Sequence, residues 1–160
     1  SGRTRGASVR RERRRTMPKA SSRRGRNAVR CGWMEPILVA VVDDEAPVRT
    51  ALGRLLRLAD YQVVTFESGA EFLASLATRV PGCVLLDVNM PGQSGLEVHG
   101  RREVDHVSLP VVFITASDDP DIERSALEAG GSRVLHKPFG NDELLAAVRC
   151  ALQPAVGATR

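Results

Sequence analysis

The 160-residue chain lacks any apolar run of the roughly 18 residues that a membrane-spanning helix requires, and it has no secretory signal segment. Its three cysteines, Cys31, Cys83 and Cys150, are an odd number and do not have the spacing of metal ligands. We therefore expect no membrane association, reduced thiols and a cytoplasmic location.

Motifs for nucleotide binding are also missing. The glycines Gly92, Gly95 and Gly100 do not form a dinucleotide fingerprint, and no glycine-rich loop ends in Gly-Lys followed by Ser or Thr. Aromatic residues make up only 4% of the chain, and Trp33 alone is a weak candidate for stacking on a nucleic-acid base. The histidines have no ligand spacing to one another, and we expect all three to be solvated at the surface: His99, His106 and His136.

Charge separates residues 1–34 from the rest of the chain. This leader holds eleven Arg, one Lys and a single acid, Glu12, for a net charge of +11, so the remainder carries −7 although the whole chain carries +4. A segment so rich in Arg and so poor in aliphatic residues cannot bury enough apolar surface to become ordered. It could be a nucleic-acid-binding arm, or an organelle transit peptide that lacks an amphipathic period. We favour non-native upstream sequence, because Met17 and Met34 are both alternative start positions.

From residue 35 to residue 152, strand-like runs alternate with helical patterns, and residues 153–160 form a short tail. Ser68 and Glu71 predict a capping box, and Asp119 and Asp121 place acids at the positive end of a helix dipole. The predicted strands span 37–42, 62–66, 83–88, 111–115 and 133–137, and the helices begin near Pro47, Ser68, Ser94, Asp119 and Asn141. This order predicts an α/β fold, a parallel sheet covered by helices on both faces.

Five polar side chains fall at or near the C-terminal ends of the predicted strands: Asp43, Asp44, Asp87, Thr115 and Lys137. In doubly wound sheets the ligand site lies outside these strand ends, so we expect the five to converge. Three crowded carboxylates repel one another, and a hard divalent cation such as Mg²⁺ relieves that repulsion. Each position alone favours a structural role, and Asp43 could simply cap the helix that starts at Pro47. The conjunction of all five favours a site.

Asp87 is the candidate nucleophile, because a carboxylate can attack phosphorus to give an acyl phosphate. Attack on an anionic phosphoryl group needs charge neutralisation, which Mg²⁺ held by Asp44 and Asp87 can supply, with Asp43 acting through water or by holding Asp44. Lys137 offers a mobile positive charge to a phosphoryl oxygen. The Thr115 hydroxyl can reach the same group once it is attached, which would draw Thr115 inward and repack the neighbouring loop.

Residues 36–152 resemble a response-regulator receiver domain, the phosphoacceptor half of two-component, or phosphorelay, signal transduction. The segment Ala126–Gly130 and the Lys-Pro-Phe sequence are most similar to receivers of nitrogen-fixation and nodulation regulators. The resemblance rests on four motifs: Val42-Asp43-Asp44-Glu45, Asp87-Val88-Asn89-Met90-Pro91 with Gly95, Thr115-Ala116, and Lys137-Pro138-Phe139.

The resemblance implies a flavodoxin-like sheet with strand order 2-1-3-4-5 and a cis Lys137–Pro138 bond. It makes Asp87 the phosphorylated residue and Asp44, Asp87 and the backbone carbonyl of Asn89 the Mg²⁺ ligands. Thr115 becomes the switch hydroxyl, and Lys137 pairs with the phosphoryl group. The implied donor is a phosphohistidine on a sensor histidine kinase. The implied working surface, roughly residues 120–152, contacts an unknown output protein, and a homodimer formed on phosphorylation stays open.

Two departures from the family accompany the resemblance. Val134 stands where the family often has an aromatic residue, so the coupling of Thr115 to the output face is expected to be weaker or differently built. Many relatives carry a DNA-binding domain after the last helix, whereas this sequence continues only through residues 153–160, so a stand-alone receiver is expected.

Two rival functions are retained. An aspartyl-phosphate phosphatase or phosphotransferase is disfavoured, because such hydrolases often place a general acid where Asn89 stands. An unphosphorylated module whose basic arm binds nucleic acid is disfavoured because all five site positions are intact. We expect a switch rather than an enzyme, and no nucleic acid on the ordered domain.

Overall fold

The computed structural model describes residues 35–104 and 109–153, with the side chains of 102–104 excepted. Within these ranges, five strands and five helices alternate along the chain. The strands are β1 Leu38–Val42, β2 Gln62–Phe66, β3 Cys83–Asp87, β4 Val111–Thr115 and β5 Arg133–His136. The helices are α1 Ala46–Leu58, α2 Gly69–Ser75, α3 Gly95–Val104, α4 Pro120–Glu128 and α5 Asn141–Leu152. No helix in the described ranges is long and apolar enough to cross a bilayer.

The strands form one parallel sheet in the order β2-β1-β3-β4-β5. The predicted α/β fold and strand order are therefore confirmed. The pairing sets Asp87 beside Ile114 and Thr115 beside His136. Strands β3, β4 and β5 consequently end at the same edge of the sheet, and this edge carries the polar side chains that the sequence singles out.

Two apolar layers cover the sheet, as both faces of a parallel sheet require. On one face α1 and α5 pack through Leu52, Leu56, Leu144 and Val148. On the other face α2, α3 and α4 pack through Phe72, Val98 and Ala126 respectively. Strands β3 and β4 are buried along their whole length, which explains why their sequences are almost wholly apolar.

The helix starts agree in part with the predicted capping. Ser68 Oγ accepts a hydrogen bond from the Glu71 amide at 3.3 Å, but the Glu71 carboxylate accepts from the amide of Glu67 rather than from that of Ser68. Only half of the capping box forms. Asp119 caps α4 by accepting from the Asp121 amide at 2.9 Å, as predicted.

The sequence Asn141-Asp142-Glu143 at the start of the last helix suggests that these residues cap it, and the structure shows this to be wrong. Gly140 is the N-cap residue and makes no side-chain hydrogen bond, while Asn141 is the first residue of the helix. Glycine is tolerated at this position because its backbone adopts the extended cap conformation without a side chain to place. The acids Asp142 and Glu143 lie in the first turn, where they face the positive end of the helix dipole.

The expectation of solvated histidines is wrong for His99, which is 1% exposed. Its ring packs edge-on against Phe113 at a centroid distance of 5.5 Å, and one ring nitrogen contacts the carbonyl of Ala129. Burial is tolerated because that backbone oxygen supplies a polar partner. His136 is half-buried, and His106 lies outside the described residues.

The cysteines of the described ranges are free thiols, as predicted, and Cys31 lies outside those ranges. Cys83 is buried in β3, and burial raises the pKa of its thiol to about 12. A protonated thiol is a poor nucleophile, so Cys83 acts as a small apolar core residue.

Candidate functional site

Three carboxylates meet at the C-terminal edge of the sheet. Asp43 follows β1, Asp44 comes next, and Asp87 is the last residue of β3. Carboxylate oxygens of the three residues all lie within 4.8 Å of one another. Asp43 and Asp87 are 1% and 3% exposed, whereas Asp44 faces solvent. The cluster is therefore closed on the side of the sheet and open on the side of Asp44.

Lys137 lies immediately after β5 and turns its ammonium group into this cluster. Its Nζ is 3.2 Å from Oδ2 of Asp43, 3.5 Å from Oδ1 of Asp87 and 3.9 Å from Oε1 of Glu45. Burial lowers the pKa of Lys137, but Asp87 and Asp43 raise it by more, so the pKa lies above its ordinary value. Lys137 is held as a cation. The Lys137–Pro138 bond is cis, as the resemblance implied.

The electrostatics of Asp87 reflect its crowded surroundings. The pKa of Asp87 is raised from 3.8 to about 6: burial raises it most, Lys137 opposes the rise, and the neighbouring charges of Asp43 and Asp44 add to it. One ammonium group does not compensate the carboxylates that surround it. With its carboxylates ionised, the cluster keeps a net negative charge and offers oxygen ligands, so it can bind a further cation.

The loop between β1 and α1 is fixed by two hydrogen bonds that the sequence analysis did not anticipate. Asp43 Oδ1 accepts from the Glu45 amide at 2.8 Å, and Arg49 Nη1 donates to the backbone carbonyl of Asp43 at 2.7 Å. Arg49 also lies 4.0 Å from Glu67, after β2. The only sequence signal for Arg49 is its place at the end of the first turn of α1, where a long side chain can reach back to the helix start.

Thr115 ends β4 and is fully buried. Its Oγ1 accepts a hydrogen bond from the Ser117 amide at 3.0 Å, and the side-chain amide of Asn89 donates to it at 3.4 Å. The amide of Lys137 donates to the carbonyl of Thr115 at 2.8 Å. Thr115 is thus joined to the loop after β3, to the loop after β4 and to the end of β5.

Gly95, at the start of α3, packs directly on the backbone of Asp87. A Cβ atom at this position would lie 2.4 Å from the carbonyl oxygen of Asp87 and 3.1 Å from Cα of Val88. Only glycine allows α3 to approach this closely. The close packing helps to fix the position of Asp87.

The predicted site residues are therefore brought together at one edge of the sheet, and the donor set suits one class of ion. Carboxylate oxygens are hard ligands, and Mg²⁺ needs only one or two of them because it keeps several waters. The exposed Asp44 leaves space for those waters, so the cluster fits Mg²⁺. The roles predicted for the individual residues, including the carbonyl of Asn89 as a ligand, stay predictions.

The chain resembles known proteins along most of this fold. A family model described as "Response regulator receiver domain" matches residues 39–149. The DNA-binding transcriptional regulator NtrC of Escherichia coli K12 is 40% identical over 119 residues, which cover 74% of this chain and 25% of NtrC. The transcriptional regulatory protein KdpE of Mycobacterium tuberculosis H37Rv is 38% identical over 116 residues, which cover 72% of this chain and 51% of KdpE.

A solved structure extends this similarity to nearly the whole of another protein. The crystal structure of a response regulator receiver protein from Burkholderia phymatum matches with a TM-score of 0.65 and 42% identity, covering 73% of this chain and 94% of that one. The chain spans about a quarter of the length of NtrC and about half of the length of KdpE. Its sequence identity to the two is similar, 40% and 38%, so the predicted likeness to nitrogen-fixation and nodulation regulators in particular stays a prediction. The chain belongs to the response regulator receiver domains of two-component systems.

Proposed function

We propose that this domain is a phosphorylation-controlled switch in which Asp87 accepts a phosphoryl group from a phosphohistidine of a sensor histidine kinase. The observation that supports it most is the cluster itself, with the oxygens of Asp43, Asp44 and Asp87 within 4.8 Å and Lys137 beside them. A carboxylate with only a structural role at a strand end would not need two further acids and a cation around it.

The proposed transfer forms one bond and breaks another. A carboxylate oxygen of Asp87 attacks phosphorus, the phosphorus–nitrogen bond to the donor imidazole breaks, and the bonding electrons return to that ring. Lys137 stabilises negative charge on a phosphoryl oxygen. Asp44, Asp87 and the carbonyl of Asn89 would hold Mg²⁺, with Asp43 acting through water or by holding Asp44, and a bound ion would neutralise charge on the phosphoryl group.

The Thr115 hydroxyl would couple phosphorylation of Asp87 to a change in the surface of the domain. In the present arrangement it is bonded to the Ser117 amide. A phosphoryl group on Asp87 offers Thr115 a charged acceptor, and hydrogen bonds to charged groups are the stronger kind. Thr115 would turn inward, and the loop that leads into α4 would be released.

We propose the face formed by α4, β5 and α5, roughly residues 120–152, as the surface that contacts the output protein or a second phosphorylated copy. The receiver unit itself would run from residue 35 to residue 152, with the matched segment 39–149 inside it. NtrC and KdpE are named as transcriptional regulators. For this chain we propose a cytoplasmic signalling role and leave its output protein unidentified.

The rival function is that of an enzyme, a phosphatase or phosphotransferase that completes many turnovers. Receiver domains are generally signalling modules rather than enzymes. Asn89 lies at the site and donates its side-chain amide to Thr115, and an amide cannot donate and retrieve a proton as a general acid does. We therefore propose that Asp87 is phosphorylated once per signalling event and is not part of a catalytic cycle on small phosphomonoesters.

The test is incubation with acetyl phosphate and Mg²⁺, followed by intact mass spectrometry. We expect one added phosphoryl group in the wild type and none in Asp87→Asn or in the wild type with EDTA. Asp60→Asn is the matched control, because Asp60 has a positive φ of 65°, which Asn also tolerates, and it is not part of the carboxylate cluster. A phosphorylated Asp87→Asn protein would refute the assignment, and rapid release of phosphate from a phosphomonoester would favour the rival.

A further inference from the structure

His136 joins the end of the sheet to α4. It is the last residue of β5, and Nδ1 of its ring lies 3.1 Å from the backbone carbonyl of Ser117. Nε2 of the same ring lies 3.4 Å from the carboxylate of Glu123, in the first half of α4. The two ring nitrogens thus face one oxygen acceptor each, and an imidazole N–H can donate to either. One side chain therefore holds both the loop that follows β4 and the helix that follows this loop.

The loop that His136 holds is the one bonded to Thr115. Thr115 and His136 are neighbours across β4 and β5. The Ser117 amide donates to Thr115 Oγ1 at 3.0 Å, while the Ser117 carbonyl faces His136. Ser117 Oγ in turn accepts from the amide of Asp119, the N-cap residue of α4. A short chain of hydrogen bonds thus runs from the Thr115 hydroxyl through Ser117 to the start of α4.

The contact between His136 and Glu123, at the N-terminal end of α4, is weak enough for a small change in charge to break it. The side chains of His136 and Glu123 are 37% and 49% exposed, and ion pairs so accessible to water contribute little free energy. The opposite end of α4 is packed more tightly, because the buried ring of His99 contacts the carbonyl of Ala129 and packs edge-on against Phe113. A Cβ at Gly131 would lie 2.7 Å from that Phe113 ring. The first turns of α4 can therefore be released while its last turn stays in place.

We propose that His136 is the positioning residue that couples Thr115 to α4. The inference rests on the proposed function, since it takes phosphorylation of Asp87 as the event that moves Thr115. When the Thr115 hydroxyl leaves the Ser117 amide, the carbonyl of Ser117 moves away from His136. The hold of His136 on Glu123 is lost with it, and residues 116–124 become free to rearrange.

The experiment compares the wild type with His136→Leu, which keeps a side chain of similar bulk and removes both ring nitrogens. Each protein is treated with acetyl phosphate and Mg²⁺, intact mass gives the extent of phosphorylation, and hydrogen exchange is followed in peptides covering residues 116–124. In the wild type, phosphorylation should speed this exchange roughly two-fold to ten-fold, the effect of losing about one hydrogen bond. In His136→Leu the resting protein should already exchange at the faster rate, and phosphorylation should add little.

Two variants on α4 form a matched pair. Glu123→Gln and Glu128→Gln remove the same charge from the same helix, but only Glu123 faces His136, while Glu128 lies 4.0 Å from Arg124. Glu123→Gln should speed the resting exchange of residues 116–124, and Glu128→Gln should leave the response as in the wild type. A His136→Leu protein that is phosphorylated to the same extent and responds like the wild type would overturn the proposal.

The design separates the two proposals. If the wild type takes up no phosphoryl group, both the proposed function and the coupling fail. If unphosphorylated wild type and His136→Leu show equal hydrogen exchange in residues 116–124, only the proposed contact of His136 with α4 is overturned. Should His136→Leu not fold, the ring signals of His136 in the wild-type NMR spectrum decide instead. Those signals should shift on phosphorylation, and an unchanged ring environment would refute the coupling.

Discussion

The ammonium nitrogen of Lys137 lies 3.5 Å from Oδ1 of Asp87, and the two side chains are only 21% and 5% exposed. Because little water screens this pair, their attraction is stronger than that of a surface ion pair. The same ammonium is 3.2 Å from Asp43, so a single positive charge is shared between two buried carboxylates. The shared cation explains how the cluster stays folded and also why it keeps an excess of negative charge.

Replacing Lys137 by Gln should therefore destabilise the metal-free domain. The change leaves Asp43 and Asp87 without their cation, and loss of one partner of a partly buried pair costs about 1–3 kcal/mol. Urea unfolding at pH 7.5 in EDTA measures the loss, and added Mg²⁺ should recover part of it. Arg124→Gln is the control, because its pairs with Asp121 and Glu128 are exposed and its effect should stay within about 0.5 kcal/mol.

The raised pKa of Asp87 predicts a pH dependence of known sign. The carboxyl has a pKa of about 6 in the folded domain against 3.8 as the ordinary value, so between these values the folded state holds its proton more tightly than the unfolded state. The metal-free stability attributable to Asp87 should then fall by about 3 kcal/mol as pH rises from about 4 to 7 and change little above that. Asp87→Asn carries no such charge, so its advantage over the wild type should be near zero at pH 4 and largest above pH 7.

Urea unfolding of both proteins in EDTA, at a series of pH values, measures this difference. A stability difference that stays flat between pH 4 and 8 would show that the buried charge of Asp87 is not the cause. Mg²⁺ should narrow the difference at pH 7.5, since a bound cation favours the ionised carboxylate.

The features of the fold that can be predicted from the sequence are those set by local sequence patterns and by the topology of the sheet. The strands Gln62–Phe66 and Val111–Thr115 match their predicted bounds, because β-branched and aromatic runs next to turn residues mark them. The convergence of Asp43, Asp87 and Lys137 also follows, since in a parallel sheet the C-terminal strand ends share one edge. These features depend on local sequence and on topology alone.

Other features depend on which faces meet in three dimensions, and local sequence does not specify them. His99 is buried because its side of α3 faces Phe113 and the carbonyl of Ala129, which no spacing rule indicates. Arg49 reaches the carbonyl of Asp43 only because α1 packs close to the loop that carries the acids. Such contacts become visible only once the helices are placed on the sheet.

The approach of α3 to Asp87 gives a third prediction. Gly95→Ala would place a Cβ 2.4 Å from the carbonyl oxygen of Asp87, so the backbone there must shift. We expect a loss of about 2 kcal/mol or more and slower phosphorylation by acetyl phosphate. Gly100→Ala, in the same helix with no atom within 4 Å of its added Cβ, should instead stabilise the domain by up to about 1 kcal/mol. Equal effects of the two changes on unfolding and on phosphorylation rate would argue against a special role for Gly95.

A last prediction separates the proposed metal ligand from its neighbour in the chain. Asp44 belongs to the three-carboxylate cluster, whereas the adjacent Glu45 is 63% exposed and lies beside Lys137 at 3.9 Å. Asp44→Asn and Glu45→Gln remove the same charge, so a general electrostatic effect would weaken Mg²⁺ binding to a similar degree in both. If Asp44 is a ligand, Mg²⁺ at about 100 times its dissociation constant should stabilise the wild type and Glu45→Gln by about 2–3 kcal/mol and Asp44→Asn far less. Thermal unfolding over a range of Mg²⁺ concentrations measures this, and equal shifts in the two variants would remove Asp44 from the ligand set.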